Sequence, residues 1–290
     1  MTNSLTGQKI DQYLIREHMS VGSTGDIYEA FDTQNQRSVI IKILQEQYSE
    51  TSEFVQRFMR EIRLVETLDH PNIIPVYGHG IYDDLLYLVM KNIRGANLET
   101  SLENRAFSPL MTWEILDPLA SALTYAHRQS IMHRDIKPSN ILIEEVEGNV
   151  HIYLSDFGMG KQVALDTTLT ETGTVIGSPA YASPESVNGE DLDQRSDLYS
   201  LGIMTYEMLI GRLPFDAPLP HLLMIAHVRQ TPPSLVGINP QFPPVLEQVV
   251  KGALAKNPAD RYQTVQEFAD AYYNALQTLS PAQQNTSFWK

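Results

Sequence analysis

Cysteine is missing altogether from the 290 residues. Its absence excludes a disulfide framework and thiolate zinc sites, and it fits a reducing compartment. No apolar run comes near the ~18 residues that a membrane-spanning helix requires, so no span is expected in this stretch. Met1 to Gln8 carries neither basic residues nor an apolar core, and no signal peptide is expected there. Basic residues are scarce: 21 Lys and Arg stand against 35 Asp and Glu, a net charge of −14. Nucleic acid recruits clustered Lys and Arg and is therefore not an expected partner. The acids are spread over both halves and read as a solvated surface. Internal repeats and low-complexity tracts are absent too. What is present is ordinary for a globular chain, 42% hydrophobic and 19% charged residues. The length allows a sizeable core, in one large domain or two modest ones.

Tyr13 to Met19, Asp26 to Phe31 and Ser38 to Leu44 alternate as strands, the last two separated by the polar turn Thr33-Gln34-Asn35-Gln36. From Ser52 the period changes. Phe54, Phe58, Ile62, Val65 and Leu68 fall on one face of a helix that ends before His70-Pro71-Asn72. Two more strands are expected, around Ile74 to Gly78 and Leu85 to Met90. Beyond Arg94-Gly95 the pattern is mostly helical: a helix after Ser108-Pro109 marked by Leu116, Leu119, Leu123 and Ala126, then a hairpin, Ile141 to Ile143 and Val150 to Leu154, around Gly148-Asn149. Asp197 to Ile210 is apolar nearly all the way round, the mark of a helix buried on every side. Helices are expected to about Leu279, then a polar tail over 280–290. The organisation is a strand-rich part over 1–90, a joint at 91–95 and a helical part over 96–279; clefts between such parts tend to hold ligands.

Several short patterns carry chemistry. In Ser20-Val21-Gly22-Ser23-Thr24-Gly25-Asp26-Ile27, two glycines three apart let backbone approach phosphates, although such a pattern alone is often only a turn. A dinucleotide-binding glycine loop opens a helix; this one runs into a strand. Lys42 lies inside the apolar run Val39 to Ile43. It reads either as a snorkelling edge lysine or, given a carboxylate such as Glu61 on the following helix, as a cation aimed at phosphates. The decisive stretch is His133-Arg134-Asp135-Ile136-Lys137-Pro138-Ser139-Asn140, followed by Asp156-Phe157-Gly158. Phosphoryl transfer needs a carboxylate to orient and deprotonate the attacking hydroxyl, a role open to Asp135. It also needs a cation on the phosphates, and Asn140 and Asp156 offer oxygen ligands of the kind Mg²⁺ accepts. Either motif alone could cap a turn; both together, in order and across a hairpin, point to chemistry.

On these residues the chain resembles a eukaryotic-type Ser/Thr protein kinase, in its bacterial membrane-associated branch, over roughly residues 10 to 275. The resemblance implies an α+β, bilobal protein kinase fold: a small antiparallel-sheet N-lobe with one main helix, and a larger, mostly helical C-lobe. It implies ATP with Mg²⁺, or Mn²⁺, as cofactors. Ser20, Val21, Gly22 and Gly25 would cover the phosphates, and Lys42 would pair with Glu61. Met90 would be the gatekeeper at the back of the adenine pocket, with Lys91 and Ile93 offering hinge backbone to adenine. Ile27 would pack above the ring beside Ile40, and Leu142 below it. Asp135 would be the base, Lys137 would steady the transferring phosphate, and Asn140 and Asp156 would hold the metal.

Ser183-Pro184-Glu185 resembles the family's Ala-Pro-Glu, so Glu185 should pair with Arg261, while Asp197 should hold the catalytic loop. Gly177-Ser178 resembles the strip that seats the substrate. Thr170 and Thr172 are the expected phosphorylation sites, modified by a second copy of the chain, with Arg134 gripping the phosphate. The expected partners are proteins with Ser or Thr acceptors, and the expected location is the cytoplasm, for a free protein or for the cytoplasmic domain of a longer membrane protein. Three departures stand out: Ser20 at a customary glycine, Ile40 at a customary alanine and Lys91 at a common glutamate. Two other readings use the same fold or loop, a pseudokinase scaffold and a small-molecule phosphotransferase. The first normally lacks the base, the lysine or a metal ligand; the second is not expected to carry Ser183-Pro184-Glu185.

Overall fold

Alternating apolar and polar residues from Tyr13 onward build the first of two compact units, Met1–Arg94 and Gly95–Lys290. The computed structural model describes residues 5–22, 25–44, 52–103, 105–157, 179–240 and 242–285, without the side chains at 52–54 and 57. Thr170, Thr172, Gly177 and Ser178 lie outside the described residues, as do Gly158, Ser23 and Thr24.

In the first unit, strands β1 (Lys9–Ile10), β2 (Tyr13–Val21), β3 (Gly25–Asp32), β4 (Arg37–Leu44), β5 (Val76–Tyr82) and β6 (Leu85–Lys91) form an antiparallel sheet ordered β1-β2-β3-β4-β6-β5. Because side chains alternate across a strand, Ile15, Tyr28, Ala30, Val39, Ile41, Ile43 and Val89 gather in one buried cluster. Helix α1 (Ser52–Val65) buries Phe58, Ile62 and Val65, the stripe its spacing predicts, and Leu68 is buried just beyond it. Strand β5 begins later than its apolar residues suggest. Ile73 and Ile74 are buried, but Pro75 follows them and has no N–H for a ladder, so pairing starts at Val76.

The second unit opens with β7 (Gly95–Asn97), which pairs with the hairpin β8 (Ile141–Val146) and β9 (Asn149–Leu154). The hairpin turns on Glu147-Gly148, one residue before the expected position. Both residues have positive φ (52° and 80°), as a two-residue hairpin turn demands. Helices α2 (Leu98–Leu102) and α3 (Pro109–Arg128) start on the caps Asn97 and Ser108, whose side chains accept from Thr100 N–H and Met111 N–H. The helix Gln194–Ile210 is buried on all sides, as its composition predicts, and Gly202 leaves it room against Ala253. The helices Pro220–Arg229, Pro244–Ala253 and Val265–Gln277 complete the unit with shorter turns. The expected polar tail contains a short helix, Pro281–Asn285. Ser280 and Gln283 exchange hydrogen bonds at its start and Pro281 opens it, a cap that hydrophobicity does not reveal.

Candidate active site

In the first unit, strand register places the predicted nucleotide residues on one sheet face. Ser20 opposes Ile27, Ile27 opposes Lys42 and Lys42 opposes Leu88; two residues along, Glu29, Ile40 and Met90 are aligned in the same way. Cross-strand partners share a face, so Ile27, Ile40, Lys42 and Met90 line the side opposite Tyr28, Val39 and Ile41. Gly22 N–H donates to the Gly25 carbonyl at 2.8 Å, closing the loop between β2 and β3. Gly25 has a further reason to be glycine: a Cβ there would lie 2.0 Å from the Ile43 carbonyl oxygen. Val21 is well exposed at the strand tip. Lys91 N–H donates to the Pro75 carbonyl at 2.9 Å, so any backbone offer to a purine from Lys91 comes from its carbonyl. Ile93 follows the end of β6, and Glu61 lies near the C-terminal end of α1.

In the second unit the loop before the 3₁₀ turn Pro138–Asn140 is held from below by Asp197, at the start of the helix Gln194–Ile210. One Asp197 oxygen accepts from His133 N–H at 2.8 Å and from His127 Nε2 at 2.8 Å; the other accepts from Arg134 N–H at 2.7 Å. Burial alone would raise the Asp197 carboxyl, but its hydrogen bond and charge interaction with His127, with His133 adding to them, hold it below the usual range. His133 is fully buried, and burial keeps its ring neutral. Asp135 N–H donates to its Nδ1 at 3.2 Å, so Nε2–H donates to the Ser155 carbonyl at 2.8 Å. Ser155 in turn donates its N–H and hydroxyl to the Asn140 carbonyl. The predicted segment 133–140 is thereby stitched to Ser155, next to the predicted Asp156-Phe157, with Phe157 buried and its ring 4.6 Å from that of His133.

This framework presents three side chains together. Lys137 Nζ lies 2.8 Å from Asp135 Oδ2. Asn140 Nδ2 donates to the Asp135 carbonyl at 2.7 Å and to Asp135 Oδ2 at 3.2 Å. With its amide nitrogen so used, Asn140 turns its Oδ1 away from Asp135. An amide oxygen and the Asp156 carboxylate are both hard donors, so the residues present fit Mg²⁺, which retains water and phosphate oxygens at its other positions. Arg134 and Asp156 have φ of 65° and 58°, left-handed values that cost a non-glycine residue energy and gather at functional sites. Leu142 follows on β8, opposite Tyr153.

Glu185 and Arg261 meet through two hydrogen bonds, 2.8 and 2.7 Å. Arg134 Nε is buried and has no hydrogen-bond partner among the described residues; Arg134 lines a pocket with Ser183, Ser186, Ser196 and Asp197. His127, Ser155 and Ser196 take part in these networks and were not singled out from sequence. For His127 a signal existed, a histidine in the last turn of α3 beside buried Ala126. Isolated serines give none.

The chain matches the protein kinase domain over residues 13–273 and belongs to the protein kinase family. It is 37% identical over 265 residues to the serine/threonine-protein kinase PrkC of Bacillus subtilis, a match that covers 91% of this chain and 40% of that protein. It is 35% identical over 267 residues to the serine/threonine-protein kinase PknJ of Mycobacterium tuberculosis, covering 91% of this chain and 45% of that one. The chain thus spans less than half of the curated relatives it matches. The crystal structure of the Mycobacterium tuberculosis PknI kinase domain superposes with a TM-score of 0.75 at 27% identity, covering 93% of this chain and 98% of that one. The α+β kinase fold expected from the sequence is the one observed. No helix among the described residues is long and apolar enough to cross a membrane.

Proposed function

We propose that the chain is an active Ser/Thr protein kinase, with Asp135 as the base that takes the proton of a protein hydroxyl. The observation that carries this is the Asp135–Lys137–Asn140 cluster, held by Asp197 and His133 in a family whose named relatives are Ser/Thr kinases. Lys137, 2.8 Å from Asp135, steadies the incoming phosphoryl group. Mg²⁺, held by Asn140 and Asp156, would neutralise charge on the phosphates of ATP. Lys42, with Glu61, and the backbone from Ser20 to Gly25 orient those phosphates; Ile27, Ile40, Met90, Lys91, Ile93 and Leu142 receive the adenine. The activity belongs in the cytoplasm, where ATP is available. The direct test is phosphoamino-acid analysis of dephosphorylated casein labelled by the chain with radioactive ATP. Phosphoserine and phosphothreonine are expected; mainly phosphotyrosine, or no label, would overturn the assignment.

We infer the regulation from Arg134. A buried guanidinium nitrogen without an acceptor is unfavourable, and a phosphothreonine supplies acceptor oxygens and nearly two negative charges. Thr170 and Thr172, phosphorylated by a second copy of the chain, are the proposed donors of that phosphate. Replacing both by alanine is expected to slow casein phosphorylation several-fold. Full activity in the double variant, with mass spectrometry showing no other loop phosphate, would sink the idea.

Ile40 carries a separate expectation. Its β-branched side chain shares a sheet face with Ile27 and Met90, and volume beyond what a nucleotide slot accommodates costs about 1 kcal/mol or more. Ile40→Ala is therefore expected to tighten ATP about fivefold by titration calorimetry. Unchanged affinity would show that the neighbouring backbone already makes room.

A further inference from the structure

Ser155 is a small buried residue lying between the two segments assigned above to the metal. Strand pairing brings it there. Ile141 on β8 opposes Leu154 on β9, so the next rung of that ladder sets Asn140 against Ser155. A complete antiparallel rung of this kind exchanges two N–H···O bonds. Here one half forms, Ser155 N–H to the Asn140 carbonyl at 2.9 Å, while Asn140 N–H turns to the Lys137 carbonyl at 3.0 Å in the 3₁₀ turn. The Ser155 hydroxyl makes up the missing bond by donating to the same Asn140 carbonyl at 3.0 Å. The Ser155 carbonyl, left without its ladder donor, accepts from His133 Nε2–H at 2.8 Å.

These bonds bear on the residue that comes next. Asp156 has a φ of 58°, a left-handed conformation that persists where the surroundings hold it. The peptide entering Asp156 is held through its carbonyl by His133, and the residue before it is held twice by Asn140. On the other side, both lone pairs of the Asn140 carbonyl are filled by Ser155, and Asn140 Nδ2 is fixed on the Asp135 carbonyl at 2.7 Å. Ser155 therefore ties the backbone carrying one oxygen ligand to the backbone carrying the other. An alanine would keep the N–H of that tie and lose the hydroxyl. Cations feel such a loss unequally. Mg²⁺ demands near-octahedral geometry at about 2.0–2.1 Å, whereas Ca²⁺ accepts longer and more variable arrangements.

We propose that Ser155 is a positioning residue for the metal: its hydroxyl fixes the spacing of Asn140 and Asp156, and so favours Mg²⁺ over the larger Ca²⁺ beside the nucleotide phosphates. The inference rests on the reading in which Asn140 and Asp156 hold the cation.

The test is fluorescence titration of the whole chain with N-methylanthraniloyl-ATP in excess Mg²⁺, in excess Ca²⁺ and in EDTA, a readout of binding rather than turnover. Ser155→Ala is expected to weaken the Mg²⁺ complex about fivefold, the scale of one hydrogen bond, and to leave the Ca²⁺ complex and the metal-free nucleotide within about twofold of wild type. Ser155→Thr keeps the hydroxyl and should bind the Mg²⁺ complex as the wild type does. An unchanged Mg²⁺ complex in Ser155→Ala, or the same loss in Ser155→Thr, overturns the proposal. So does an equal loss under all three conditions, which would mean that Ser155 only packs the fold. Should Ser155→Ala fail to fold, Ser155→Cys takes its place: its thiol is a weak donor, and a smaller loss confined to the Mg²⁺ complex is expected. No loss there counts against the role of the hydroxyl. A wild-type chain that binds the nucleotide equally well with and without metal speaks against the metal reading itself.

Discussion

Asp135→Asn is expected to lower turnover by about 10²–10⁴-fold, the usual contribution of a positioned general base, while ATP affinity stays near wild type. The substitution is nearly isosteric, and the Asp135 backbone keeps its bonds to Asn140 and His133. What changes is the charge facing Lys137 at 2.8 Å and the ability to accept a proton from a hydroxyl. An interaction made only in the transition state is thereby removed. Asp156→Ala provides the contrast: it removes a metal ligand and should weaken Mg-ATP binding along with rate. Single-turnover kinetics with titrated ATP separate the two. A near wild-type rate in Asp135→Asn would show that another group takes the proton.

Those two residues were legible because their motifs are contiguous, and the same contrast runs through the whole chain. Strands β2 and β3 were legible from alternation, and β4, β6 and the helix Gln194–Ile210 from apolar runs, since each pattern reflects local burial. Strands β1 and β7, of two and three residues, are too short for any period to show. The site divides in the same way. The order of Asp135, Asn140 and Asp156 can be read in a line, but not the hydrogen bonds that hold them. His133 N–H reaches Asp197 across 64 residues, and His133 Nε2 reaches Ser155 across 22. Such pairings follow from tertiary packing. Positive φ at Arg134 is likewise invisible, because arginine does not announce a left-handed backbone; aspartate is a type enriched there, but most aspartates lie elsewhere, so Asp156 does not stand out either. Resemblance supplied Asp197, Glu185 and Arg261 as expectations; nothing comparable pointed to the contacts of His227 with the Tyr199 hydroxyl at 3.1 Å and, through its carbonyl, with Lys256 Nζ at 2.6 Å, whose members share no motif.

Arg261→Met is expected to destabilise the chain by about 3–5 kcal/mol, the cost of leaving one member of a buried ion pair behind. Both partners are sealed from solvent, with side-chain exposures of 0% for Arg261 and 3% for Glu185. Besides its two bonds to Glu185, Arg261 donates to the carbonyls of Ala255 at 2.7 Å, Arg195 at 2.8 Å and Lys256 at 3.0 Å. All five N–H donors of a guanidinium are thereby used. Lysine has three donors and no planar fork, so Arg261→Lys should retain the charge and still lose much of the stability. Glu185 also accepts from Ser196 Oγ at 2.7 Å. Burial would raise the Glu185 carboxyl, but the bonds from Arg261 and Ser196 outweigh it and hold the pKa below its ordinary value. A carboxyl lowered in the folded state adds stability above the unfolded pKa and loses it as pH falls through the folded value. Urea unfolding between pH 7 and pH 3 should therefore show wild-type stability falling on the acid side. Glu185→Gln with Arg261→Met should flatten that fall and cost less than the two single changes summed, because the pair is removed together. Strict additivity, or a wild-type midpoint for Arg261→Met, would mean that the pair is structurally incidental.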